Sequence, residues 1–291
     1  MTICIAVGVH DGMVFAADSA STLSTVAPGG ATSVLNVYMH GQKVFNLYKG
    51  KPIAAMTCGI GNFGPHSISS LAKELRFILT NGSSDEAINA DNYSIREIVE
   101  KTRKFLYDDK FARLSPRPNG HFEFWVAGYP SDMSQAFELW KIVFSEGQCQ
   151  PPVKLTENGG GGIWWGGAIE PVTRLVLGFD DGMRRGICRA SGVDPDNVPP
   201  EQAAKLSHLI ECVRNESQVY LHSPAMPMQD AIDLADFLAA TAKQYWRFLP
   251  GADIVGGETD IATVTRYEGF KWIRRKHYYP RELNVLETDH A

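Results

Sequence analysis

Apolar residues fill positions 3–9 and 13–17 with little interruption, and His10-Asp11-Gly12 separates the two runs. This pattern predicts a β-hairpin with a tight turn. The turn also sets a register: residues whose numbers sum to about 21 face each other, so Thr2 falls beside Asp18 and Ser19. Residues 21–40 contain Pro28-Gly29-Gly30 and read as a loop or an extended hairpin. Strands are expected around Lys43 to Leu47 and Pro52 to Thr57, with Lys49-Gly50 turning the chain between them. Beyond Cys58-Gly59-Ile60-Gly61 the period becomes helical, with Ile68, Leu71, Leu75, Ile78 and Leu79 on one face.

A second helix starts at Ser94, where Ser94-Ile95-Arg96-Glu97 has the form of a capping box. Phe122 to Ala127 and Ala136 to Phe144 read as a strand pair around the turn formers Gly128 to Asp132. Helical patterns follow at Pro171 to Leu177, Pro200 to Arg214 and Met228 to Phe248, and the last two strands are expected at Asp260 to Arg266 and Phe270 to Ile273. Strands thus come in antiparallel pairs and helices in blocks. That order favours an α+β fold over alternating parallel βαβ units.

Composition narrows the function classes. The chain has 291 residues, 44% of them hydrophobic, enough for a sizeable core. Its formal charge is −5 and its Lys and Arg are scattered, so no nucleic-acid partner is expected. Five cysteines show no CxxC pair and no zinc spacing, which predicts ordinary buried thiols, a reducing compartment and no metal. The apolar start is too short for a membrane span and has no preceding cation, so neither a signal peptide nor an anchor is expected, and the protein is read as cytoplasmic. The Gly159 to Gly162 run reads as a flexible loop and lacks the Lys-Ser/Thr ending of a phosphate loop, and no cofactor is expected.

The candidate chemistry gathers at the start of the chain. Thr2 follows the initiator methionine and is small, the situation in which Met1 is normally removed to leave a free α-amine on Thr2. An amine with a pKa near ~7.7–8 is substantially neutral at physiological pH and can take the proton of the threonine hydroxyl. Asp18 ends the apolar strand Val14-Phe15-Ala16-Ala17, where an ionised carboxylate is costly unless a cation or several donors meet it. Lys43 is the candidate cation. Its ammonium would lower the pKa of both the amine and the hydroxyl. The bland alternative is a structural Asp-Lys pair. Cys4 is read as core, and His10 and His66 as turn and helix-start residues. Trp164 and Trp165 are read as packing or ring contacts, and the basic Lys271 to His277 cluster as a solvated strand end or subunit contact.

Three segments, Thr2-Ile3-Cys4-Ile5-Ala6, Gly12 to Ser19 and Lys43-Val44-Phe45, resemble the opening of proteasome β-type subunits. Ile53 to Gly59, Phe124 to Tyr129, Trp165-Gly166-Gly167, Asp253 to Gly257 and Asp260-Ile261-Ala262 extend the likeness over most of the chain. It is nearer to the bacterial Anbu-type homologue, or to the peptidase of the two-component ATP-dependent bacterial protease, than to eukaryotic subunits. The resemblance implies a four-layer αββα sandwich of two antiparallel sheets. It also implies a threonine peptidase with Thr2, Asp18, Lys43 and the Gly59 N–H as catalytic groups, and Gly166, Gly167, Asp253 and Gly256 in support. Extended substrate would lie along Ser21 and Thr22 and the edge holding Cys58, Gly59 and Gly61. Glycines stand at Gly166 and Gly256, where proteasome subunits carry serines. One domain is expected, with a helical insertion at 192–226 and an appendage at 277–291. The resemblance further implies a homo-oligomeric ring, a peptide or unfolded-protein substrate and an ATP-driven unfoldase partner. Two alternatives stay open: a non-catalytic ring subunit, and an amidase of a small-molecule amide.

Overall fold

A computed structural model describes residues 2–26, 32–133, 136–157, 161–251 and 254–276. Met1, Pro28-Gly29-Gly30, Gly159-Gly160, Asp253 and the tail 277–291 lie outside the described residues. The first hairpin is β1 (Ile3–Val9) and β2 (Gly12–Ala17), and its partners run from Cys4 opposite Ala17 to Val9 opposite Gly12. The turn chemistry at His10-Asp11 thus sets the register. The next segment forms an extended hairpin, β3 (Ser21–Val26) with β4 (Thr32–Tyr38). Then come β5 (Val44–Asn46), β6 (Ile53–Gly59) and the short pair β7 (Asn62–Phe63) and β8 (His66–Ser67).

Helix α1 (Ile68–Asn81) buries Ile68, Leu71, Leu75 and Leu79, so the apolar stripe lies against the core. Helix α2 (Ile95–Arg103) starts at Ser94, whose hydroxyl accepts from Glu97 N, and continues as a π-helical turn over Lys104–Lys110. Strands β9 (Phe122–Gly128), β10 (Glu138–Ser145), β11 (Gln148–Cys149) and β12 (Val153–Lys154) follow. β13 (Gly162–Gly167) has no counterpart in the sequence reading: the Trp164-Trp165 segment pairs with β1, and the glycine run before it ends as strand. Four helices come next, α3 (Glu170–Leu177), α4 (Asp181–Ala190), α5 (Pro200–Ser217) and α6 (Met228–Phe248), of which α4 was unforeseen. Strands β14 (Asp260–Thr265) and β15 (Gly269–Arg274) end the described chain.

The strands form two main antiparallel sheets, β13-β1-β2-β14-β15 and β11-β10-β9-β6-β5. Alternation along the strands divides their side chains between different clusters. Ile3, Ile5, Val7 and Val9 pack with α3 and α6, whereas Cys4 and Ala6 meet Ala54, Met56, Cys58, Trp125 and Ala127 of the other sheet. Ile53, Ala55, Phe122, Phe124 and Val126 point the opposite way, onto α1 and α2. Both main sheets are therefore covered on two faces, which explains why β1 and β2 read as unbroken apolar runs. The fold is α+β with antiparallel sheets. Helices α4 and α5 share a small cluster of Cys188, Val193 and Leu206. Among the described residues no helix is long and apolar enough to cross a membrane.

Candidate active site

Thr2 stands immediately before β1 and is only 4% exposed. Its carbonyl accepts a hydrogen bond from Ala168 N at 2.7 Å, which ties the chain start to the end of β13. Asp18 follows β2 opposite Ile3, the residue after Thr2, and is fully buried. Four donors meet its carboxylate: Ile3 N at 3.0 Å and Lys43 Nζ at 2.6 Å on Oδ1, and Ala20 N at 3.1 Å and Gly256 N at 3.0 Å on Oδ2. A buried carboxylate is tolerable only with such satisfaction. Lys43 is itself 7% exposed.

One cavity of about 120 Å3 brings together Thr2, Ser21, Thr22, Lys43, Cys58, Gly59 and Gly61. Backbone direction explains the Gly59 edge. Thr57 N donates to Lys43 O, whereas Ile60 N donates to His121 O on the opposite side. Because N–H groups alternate along a strand, the Gly59 N–H points to the Lys43 side, where Gly41 and Gly59 line the cavity. Gly59 has φ +94°, and a Cβ there would overlap the His121 carbonyl oxygen. Only glycine fits that position.

The supporting positions divide. Gly167 (φ +87°) lies where a Cβ would overlap the Thr2 carbonyl, so its lack of a side chain lets β13 close on the chain start. A Cβ on Gly166 would lie 2.8 Å from Glu123 Oε2 and 2.9 Å from the Trp125 ring. The space a serine would take is thus filled by Glu123. Gly256 has no hydroxyl but supplies its N–H to Asp18. Asp253 lies outside the described residues.

Two features went unseen in the sequence. Glu123 accepts from Trp125 Nε1 at 2.8 Å, pairs with His121 at 2.9 Å and lies 3.5 Å from both Cys58 Sγ and Lys141 Nζ. Burial pushes its pKa up, but His121, Lys141 and Trp125 together outweigh this and hold it below the usual carboxylate value. A hydrogen bond shared with Cys4, in which the protonated Cys58 thiol is the donor, and then burial push the Cys58 thiol well up. The second feature departs at Lys276 alone from the reading of Lys271 to His277 as a solvated strand end or subunit contact; Lys271, Arg274 and Arg275 are exposed, and His277 lies outside the described residues. Lys276 is buried, lies 2.5 Å from Asp260 Oδ2 and donates to Ser19 Oγ, which donates in turn to Glu258 O. An acidic residue at the head of a strand, as Asp260 is, is the one sequence signal for it. The thiols also need correction: Cys4, Cys58 and Cys188 are buried, but Cys149 is half-buried and Cys212 exposed. Among the described residues no group of three or more His, Cys, Asp or Glu would hold a metal ion.

Comparison with solved structures adds one finding. The structural neighbours are Anbu proteins. Anbu (ancestral beta-subunit) from Yersinia bercovieri matches with TM-score 0.48 at 13% identity, over 94% of this chain and 88% of that one. The helical assembly of the Anbu complex from Pseudomonas aeruginosa gives 0.47 at 14% identity, over 95% and 88%. The Anbu (Gly-1) mutant from Hyphomicrobium sp. strain MC1 gives 0.49 at 14% identity, over 95% and 86%. Neither the protein-family models nor the curated proteins yield a match.

Proposed function

We propose that the chain is an N-terminal-nucleophile hydrolase of the proteasome-like kind, which cuts peptide bonds with Thr2 after loss of Met1. One observation carries the reading: a fully buried carboxylate and a buried ammonium, 2.6 Å apart, adjoin the cavity that Thr2 lines. A buried ion pair adds little to stability that apolar packing would not, so its place beside a hydroxyl in a cavity favours chemistry over structure. In this reading Thr2 Oγ attacks the peptide carbonyl and its α-amine takes the proton, then returns it to the leaving amine. The Gly59 N–H stabilises the oxyanion, and water releases the acyl group from Thr2. Lys43 favours the neutral amine and the ionised hydroxyl, and Asp18 holds Lys43 in place. Extended substrate adds as a strand along Ser21 and Thr22 and the Cys58, Gly59 and Gly61 edge.

The same reading takes the architecture as a single-domain, four-layer αββα sandwich, with 192–226 as a helical insertion and 277–291 as an appendage. Copies would close a ring in the cytoplasm and receive unfolded protein from an ATP-driven unfoldase. The resemblance of the Thr2, Asp18 and Lys43 segments to proteasome β-type subunits is what supports these points. Intact-mass measurement of the N-terminus together with Thr2→Ala tests the chemistry. The variant is expected to keep its fold and lose turnover of fluorogenic peptides. Full activity in it, or an active protein that retains Met1, rejects the proposal.

A further inference from the structure

Beside the Thr2 cavity three cations converge on a second cleft. Lys73 and Arg76 stand one turn apart on α1, and Arg275 follows β15; with Gln42, Asn46 and Trp272 they line a hollow of about 60 Å3. Basic side chains around these elements have acids. Lys110 holds Glu74 at 2.6 Å, Arg274 holds Asp236, and Lys276 holds Asp260. Among the described residues no carboxylate pairs with Lys73, Arg76 or Arg275, in a chain that carries 33 Asp and Glu against 28 Lys and Arg.

The arrangement is electrostatically unfavourable as it stands. Burial, and then the facing Arg275 charge, hold the Arg76 guanidinium below its ordinary value. Arg275 lies over the Trp272 ring, 5.0 Å from its centroid, which orients the guanidinium without neutralising it. The Asn46 side-chain oxygen accepts from Tyr48 N, which leaves the amide NH2 as a donor. Two planar guanidinium forks brought from separate elements to one small polar hollow suit the several acceptor oxygens of an oxyanion.

We propose that this cleft is an oxyanion site, in which Arg76 and Arg275 clamp a single phosphate or carboxylate group. Gln42 lines this cleft and the Thr2 cavity alike, yet the site stands whether or not Thr2 is a nucleophile.

The test uses the full chain, with thermal unfolding and calorimetric titration in sodium phosphate and in sodium acetate against sodium chloride at matched ionic strength. Phosphate or acetate is expected to raise the melting temperature above the chloride value, because a ligand of the folded state stabilises it. A response to phosphate alone assigns the site to phosphate groups, and one to acetate alone to carboxylates. Arg76→Gln and Arg275→Gln are each expected to weaken that binding roughly 10-fold or more, the value of a charge-assisted bond. In chloride alone, Arg76→Gln should melt no lower than the parent, because a like-charge contact has gone. The parent's advantage in the bound anion's salt is therefore absent in chloride. Two results overturn the proposal: neither anion binds better than chloride, or both variants respond as fully as the parent.

Discussion

Replacing Lys43 by Met keeps most of the side-chain volume and removes the ammonium that lies 2.6 Å from Asp18 Oδ1. The carboxylate left behind is fully buried and retains three backbone donors, Ile3 N, Ala20 N and Gly256 N, at 3.0, 3.1 and 3.0 Å. Removing one partner of a buried pair costs roughly 3–5 kcal/mol. The three remaining bonds place the expected loss at the low end, about 3 kcal/mol. Adding Asp18→Asn takes away the stranded charge, so the double variant should be less destabilised than the sum of the singles, by about 1–3 kcal/mol. Urea unfolding of all four proteins at one pH and one concentration, followed by far-UV circular dichroism and tryptophan fluorescence, measures this coupling. A Lys43→Met variant within about 1 kcal/mol of the parent, or strict additivity of the singles, would refute the view that the pair is a desolvated unit.

Other outcomes follow from neighbouring groups. Gly166→Ser would press its Cβ to 2.8 Å from Glu123 Oε2 and 2.9 Å from the Trp125 ring, so it should destabilise by roughly 1–3 kcal/mol rather than restore a supporting hydroxyl. A neutral or stabilising effect in urea unfolding contradicts this. The Glu123 carboxyl is held below its ordinary value, so its ionised form contributes stability above the unfolded-state pKa that is lost as pH falls through the folded-state value. Glu123→Gln should therefore lose less stability on acidification than the parent, and equal acid sensitivity in the two proteins counts against the assignment. Iodoacetamide should label exposed Cys212 in the native protein and reach Cys4, Cys58 and Cys188 only after unfolding. Peptide mass spectrometry reads the order, and Cys58 reacting as fast as Cys212 would show that the thiol is neither buried nor held protonated.

What the sequence determined by itself is what adjacent residues encode. The polar turn at His10-Asp11 sets the pairing of β1 with β2, and so brings Asp18 to the chain start. The apolar period places the core face of α1, and Met228–Phe248 shows its full helical length in pattern alone. Asp18 could be picked out because an acid at the end of an apolar strand needs partners. Which partners it finds was decided only by tertiary structure. Gly256, 238 residues away, donates through its backbone, a group every residue except proline carries and no pattern marks. Strand β13 was hidden because its glycines and tryptophans lack the alternation of a half-buried strand; it exists by pairing with β1. Glu123 in the space beside Gly166, Lys276 on Asp260 and Ser19, and the convergence of Arg76 with Arg275 have the same origin. Each joins side chains from distant segments, and such contacts depend on how sheets and helices stack, a property that local periodicity does not carry.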